Sequence, residues 1–152
     1  MLKKISSLFI VFLLTLTLCG CGNKNVEGSL EDIMARVYED LKEDELPMGL
    51  ANTEVTSENV EYYLGTSDIE FESALASESM TGSIAHSVVL VRVKENANIE
   101  DIKTKIKQNA DPRKWICVGV EEENVIVKSK GNLIILIMSE NSSKLEDGFD
   151  NL

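Results

Sequence analysis

The stretch Ile84–Val93 constrains the fold of this chain more than any other. Val89, Val91 and Val93 share one parity, while Val88 and Leu90 fall on the other. Successive side chains of a strand face opposite sides of its sheet. A run that is apolar on both parities therefore reads as a strand buried on both faces and central in the sheet. Val125–Lys128 and Leu133–Met138 are two further strands, joined as a hairpin by Ser129-Lys130-Gly131-Asn132, with Gly131 supplying a positive φ. Ile69–Ser79 alternates more loosely, with Ile69, Phe71 and Ala74 or Leu75 inward, and reads as a fourth strand. Thr81-Gly82-Ser83 is the turn that returns it to Ile84.

Helical signals flank these strands. Ser29 and Asp32 resemble a capping box with Asp in place of Glu. Behind them Ile33, Val37 and Leu41 recur every four residues, with Leu30 and Met34 alongside, until Pro47-Met48-Gly49 stops the pattern. Leu50–Thr56 reads as extended or loop. Thr56 or Ser57 caps a short turn through Val60, Tyr62, Tyr63 and Leu64, closed by Gly65. Asn98 caps a second long helix, where Glu100 and Asp101 favour the positive N-terminal end. Ile99, Ile102 and Ile106 form its stripe, and Asp111-Pro112 ends it. The expected architecture is α+β: an antiparallel sheet of about four strands with two main helices packed on one face.

The N-terminus carries an address. Lys3 and Lys4 precede an apolar run from Ile5 to Leu18, broken only by Ser and Thr. Its 14 residues suit a signal core better than a membrane span, which needs about 20. Leu18-Cys19-Gly20-Cys21 follows and resembles the lipobox of bacterial lipoproteins: an aliphatic residue, two small ones, then Cys. That resemblance implies cleavage between Gly20 and Cys21, a diacylglycerol on the Cys21 thiol, and a palmitate-type lipid anchor in the cell membrane on the extracytoplasmic face. The expected organisation is a lipoprotein signal peptide over 1–20, a lipidated tether over 21–28, one α+β domain over 29–139, and an acidic, flexible tail over 140–152.

Charge and cysteine content narrow the function classes. The net charge of −11 becomes −13 once Lys3 and Lys4 leave with the signal. That balance excludes nucleic acid, whose phosphates require Lys and Arg. With Cys21 lipidated, Cys117 has no partner for a disulfide. Its neighbours Trp115, Ile116 and Val118 read as core. The single histidine, His86, excludes motifs that need two.

Three groups of residues are candidates for chemistry. Asp111-Pro112-Arg113-Lys114-Trp115 holds the only Trp and two cations in a mostly acidic chain. Asp111, Arg113, Lys114 and Trp115 form a candidate interaction patch, because Trp and Arg dominate interface hot spots. The competing reading packs Trp115 under the sheet, with Asp111 and Arg113 paired locally. His86 and Cys117 compose a Cys–His dyad on paper, the basis of a thiol-dependent enzyme, but no orienting third group accompanies them. Glu121-Glu122-Glu123 with Asn124 reads as a solvated turn rather than a cation site. No catalytic constellation, metal pattern or cofactor motif emerges.

Three segments resemble a family of small lipoproteins from Gram-positive, clostridia-like bacteria, catalogued as a domain of unknown function. They are Ser83-Ile84-Ala85-His86-Ser87-Val88-Val89-Leu90-Val91-Arg92, Ala110-Asp111-Pro112-Arg113-Lys114-Trp115-Ile116-Cys117-Val118-Gly119, and Gly131-Asn132-Leu133-Ile134-Ile135-Leu136-Ile137-Met138. The resemblance implies an envelope address and one domain, and carries no activity with it. The expectation is a lipid-anchored, non-catalytic binding or accessory module with a protein partner in the envelope. A small-ligand-binding lipoprotein is the alternative.

Overall fold

The doubly apolar run forms strand β3 (His86–Arg92), buried at every position from His86 to Val91. The computed structural model describes residues 24–152 and places β3 at the centre of a five-stranded antiparallel sheet. Gly20 and Cys21, with the rest of the segment read as a signal and its cleavage site, lie outside the described residues. The other strands are β1 (Leu50–Glu54), β2 (Ser73–Ser79), β4 (Val125–Lys130) and β5 (Leu133–Ser139), in the order β1-β2-β3-β5-β4. β5 pairs with β3 from His86↔Ser139 to Arg92↔Leu133 and is buried throughout. Because β3 and β4 are both antiparallel to β5, they run parallel to each other with β5 between them.

Helices cover both faces of this sheet, not one. On one face α1 (Leu30–Val37) and α4 (Ser142–Asp150) bury Ile33, Met34, Val37, Leu145 and Phe149 against Leu90, Leu133, Ile135 and Ile137. On the other, α2 (Val60–Leu64) and α3 (Ile99–Asn109) bury Val60, Leu64, Ile102 and Ile106 against Ala76, Val89, Val91, Ile134 and Leu136. The cause is the pattern that marked β3 as central: a sheet apolar on both parities needs two covers. Ser29 caps α1 by accepting from Asp32 N–H, and Asn98 caps α3 by accepting from Asp101 N–H.

Two other expectations are corrected. The fifth strand, β1, comes from the stretch read as extended or loop. Its Leu-Ala-Asn-Thr-Glu sequence carries no alternation because β1 is an edge strand, with Asn52 to Glu54 exposed. The acidic tail over 140–152 is helix α4 rather than a flexible end. Leu145 and Phe149 stand four apart and share one helical face, and both are fully buried. Gly148 allows close approach to α1, since a Cβ there would lie 2.3 Å from the Val37 carbonyl oxygen. The tail's acids meet cations of β4: Lys128 pairs with Glu146 at 2.9 Å and Asp150 at 2.6 Å.

The chain enters the domain at the end of the sheet where β3 finishes. Arg92 Nη2 donates to the carbonyls of Val26 at 3.2 Å and Gly28 at 2.9 Å. Gly131, at the tip of the β4–β5 hairpin with φ 57°, lies against Lys24 and Asn25. A Cβ on Gly131 would come within 2.6 Å of the Lys24 carbonyl oxygen. The opposite end of the sheet, where β2 and β5 finish and β3 begins, holds the polar residues described next.

Candidate functional site

At that far end the aliphatic pattern of the three central strands gives way to polar side chains. His86 opposes Ser139 in the β3–β5 register, and Ser87 opposes Glu78 in the β2–β3 register. Neighbouring positions point to opposite faces, so the sheet separates two polar clusters.

The α1/α4 face holds the first. His86 is 3% exposed, and both ring nitrogens are engaged. Nε2 pairs with the Tyr38 hydroxyl at 2.7 Å, and Nδ1 with Ser139 Oγ at 2.9 Å. A neutral imidazole donates through one nitrogen and accepts through the other, so these partners suit the uncharged ring. Burial pulls its pKa down to about 4. Burial likewise pushes the Tyr38 phenol above its ordinary range. Ser139 Oγ also accepts from Asn141 N–H at 3.1 Å, tying the cluster to the start of α4. Beside it opens a cleft of about 410 Å³, bordered by Glu45, Pro47, Ser83, His86, Val118 and Asn141. The Glu45 carboxylate is held below the usual range by Lys144 and by the backbone N–H of Lys42.

The second cluster lies on the α2/α3 face. Lys114 Nζ forms an ion pair with Glu78 in which the side chains are only 6% and 13% exposed. Three aromatic rings surround the ammonium, with centroids at 4.4 Å for Tyr62, 5.1 Å for Tyr63 and 5.4 Å for Trp115. Ring faces attract a cation, more so when it is desolvated. Tyr62 adds a hydroxyl donated to Glu78 Oε2 at 3.3 Å. Burial lowers the Lys114 pKa, and the Glu78 carboxylate opposes that shift. The Trp115 indole N–H is buried without an acceptor.

At the same end three large apolar side chains reach solvent. Met48, Met80 and Ile116 are 76%, 81% and 72% exposed. Three chain segments meet to present them. Met80 N–H donates to the Gly49 carbonyl, and Ile116 N–H donates to the Gly82 carbonyl, both at 2.9 Å. Positive φ at Gly49 (68°) and Cys117 (60°) shapes two of those segments. Val120 N–H donates to the Pro112 carbonyl at 2.9 Å and closes the loop between them.

The candidates from sequence are therefore redistributed. Of the patch Asp111, Arg113, Lys114 and Trp115, the last two turn inward, Trp115 to 8% exposure. Asp111 and Arg113 stay exposed, and Asp111 Oδ1 accepts from Arg113 N–H at 2.9 Å. Cys117 is exposed rather than core, because it lies in the loop that the Val120–Pro112 hydrogen bond closes, next to exposed Ile116. Since Tyr38 and Ser139 engage both nitrogens of His86, the ring is not poised to activate a thiol. Glu122–Asn124 forms a 3-10 turn, and among the described residues no three His, Cys, Asp or Glu side chains converge on a metal-sized site. Sequence reasoning missed Tyr38, Glu78, Met48 and Met80. Glu78 alone left a trace, as an acid on the inward parity after Ala74 and Ala76. No known protein family, curated protein or solved structure matches this chain.

Proposed function

We propose that the chain is a lipid-anchored extracytoplasmic lipoprotein, attached to the cell membrane through Cys21, whose domain is a non-catalytic binding module of the envelope. The apolar segment Ile5–Leu18 and the lipobox-like Leu18-Cys19-Gly20-Cys21 support the address. The observation that carries the binding reading is the exposed trio Met48, Met80 and Ile116, raised by three separate segments at one end of the sheet. Large exposed apolar groups gathered on a polar-rimmed surface mark interaction sites. Glu45, Glu121, Glu122, Glu123 and Glu140 belong to the same end, since they border His86 and Ser139 or adjoin the start of β4 and the finish of β5. Acidic side chains at the same end as the apolar trio suit a protein partner with an apolar ridge flanked by Lys and Arg. Recovery from detergent-solubilised envelope tests this, comparing wild type with Met80→Glu/Ile116→Glu. A reproducible partner lost only in the variant, with thermal unfolding unchanged, is the expected result. No partner, or one retained equally by both, would refute the binding face.

The cleft of about 410 Å³ beside His86 favours a second reading, a small-ligand-binding lipoprotein. A ligand for the folded state raises its melting temperature. A metabolite and cation panel should therefore leave the melting temperature unchanged if the protein-binding reading is right.

A further inference from the structure

We propose that the β4–β5 hairpin end of the domain is a membrane-facing surface, resting on the bilayer, with the Met48–Met80–Ile116 end projecting away from it. The proposal rests on the reading of Cys21 as the lipid-bearing residue.

Chain length is the ground. Lys24 and Asn25 are already seated against Gly131, and Arg92 fastens the next turn of chain through the carbonyls of Val26 and Gly28. Only three residue steps separate Cys21 from Lys24, and at full extension they span about 11 Å. An anchor on Cys21 therefore holds the hairpin end within about 11 Å of the bilayer surface, whatever path those residues take. In the proposed orientation the far end stands off by a further length of β3, whose seven residues rise about 20 Å. Surface charges interact strongly only within a Debye length of about 8 Å, so the two ends experience different electrostatic environments.

The tether thus favours one orientation, with the hairpin end down and the Met48–Met80–Ile116 end toward partners.

The full-length lipoprotein provides its own probe, because exposed Cys117 lies at the far end and Cys21 is blocked by lipid in this reading. The protein is reconstituted into phosphatidylglycerol-containing vesicles that carry a headgroup nitroxide. A fluorophore is placed on Cys117, or on Glu95→Cys in a Cys117→Ser background. Quenching should be at least about twofold stronger at position 95, given the roughly 20 Å offset. Inserting ten Gly/Ser residues after Gly22, with an r.m.s. reach of about 17 Å, should erase the difference. Equal or reversed quenching in the unmodified tether overturns the orientation. Labelled fatty acid separates the premise: incorporation lost in Cys21→Ala with reversed quenching sinks only the orientation. Absence of incorporation into the wild type sinks the lipoprotein reading, and the orientation with it.

Discussion

Acidification should destabilise this domain through one identifiable group. His86 is the chain's single histidine and its ring is buried. Desolvation lowers its pKa from 6.5 to about 4. Between those values the unfolded chain binds a proton that the folded chain refuses, so stability falls as pH falls. Integrated from pH 7.5 to 4.5, the loss is about 2.5 kcal/mol, at about 1.4 kcal/mol per pH unit in the middle of the window. Glu45, whose folded pKa is held down by Lys144, loses its contribution only below the ordinary carboxylate pKa of 4.5. The window above 4.5 therefore isolates His86. Urea unfolding followed by the fluorescence of Trp115, the only Trp, measures the free energy at each pH. The wild type should lose about 2.5 kcal/mol, whereas His86→Phe should start less stable and change little. A wild-type loss under about 0.5 kcal/mol, or an equal slope in His86→Phe, would refute the desolvation argument.

Three other outcomes follow from the packing. Lys114→Ala leaves the Glu78 carboxylate buried without a counterion and should cost about 3–5 kcal/mol by urea unfolding, whereas Lys114→Met/Glu78→Leu should recover most of it. Phe149→Ala should cost about 3–5 kcal/mol despite lying in an acidic tail, because its fully buried ring leaves a cavity between α4 and the sheet. A solvated tail would give a change near zero. Cys117 should react with a thiol reagent in the native protein nearly as fast as in urea, since it is exposed. Native protection of more than about tenfold would contradict that placement.

The parts legible in the sequence were those where one segment holds the whole signal. Val88 to Val93 announce a central strand by themselves, and Ser29 and Asn98 sit where α1 and α3 begin. What was illegible depends on partners elsewhere in the chain. The tail contains too few apolar residues to read as a packed helix. Leu145 and Phe149 count because Leu90, Leu133, Ile135 and Ile137 expose a face that α1, eight residues long, leaves partly uncovered. That demand is implicit in the two apolar parities of β3. Cys117 misled because its neighbours are apolar, while it sits in an exposed loop closed by the Val120–Pro112 hydrogen bond. Lys114 looked like a surface cation because Glu78 and the rings of Tyr62 and Tyr63 reach it from distant positions.

The change of chemistry along the strands argues for where function resides. Over most of their length β2, β3 and β5 place aliphatic or small side chains on both faces. Within the pairs at one end all three switch: Ser77, Glu78 and Ser79 in β2, His86 and Ser87 in β3, Ser139 in β5. Each switched position faces the interior, where an unpaired polar group costs about 1–3 kcal/mol. Most are satisfied only through partners brought from other elements: Tyr38 for His86, Lys114 for Glu78, and the Met48 carbonyl for Ser79 Oγ. Ser77 Oγ is buried without a partner. Continuing the Val and Ile pattern to the strand ends would have been a simpler route to stability. Departures from local consistency concentrate at functional sites. Here they lie directly beneath the segments that raise Met48, Met80 and Ile116 into solvent. The ion pair, the imidazole network and the backbone hydrogen bonds at Gly49, Gly82 and Pro112 together fasten those segments to the sheet, as the proposed binding face requires.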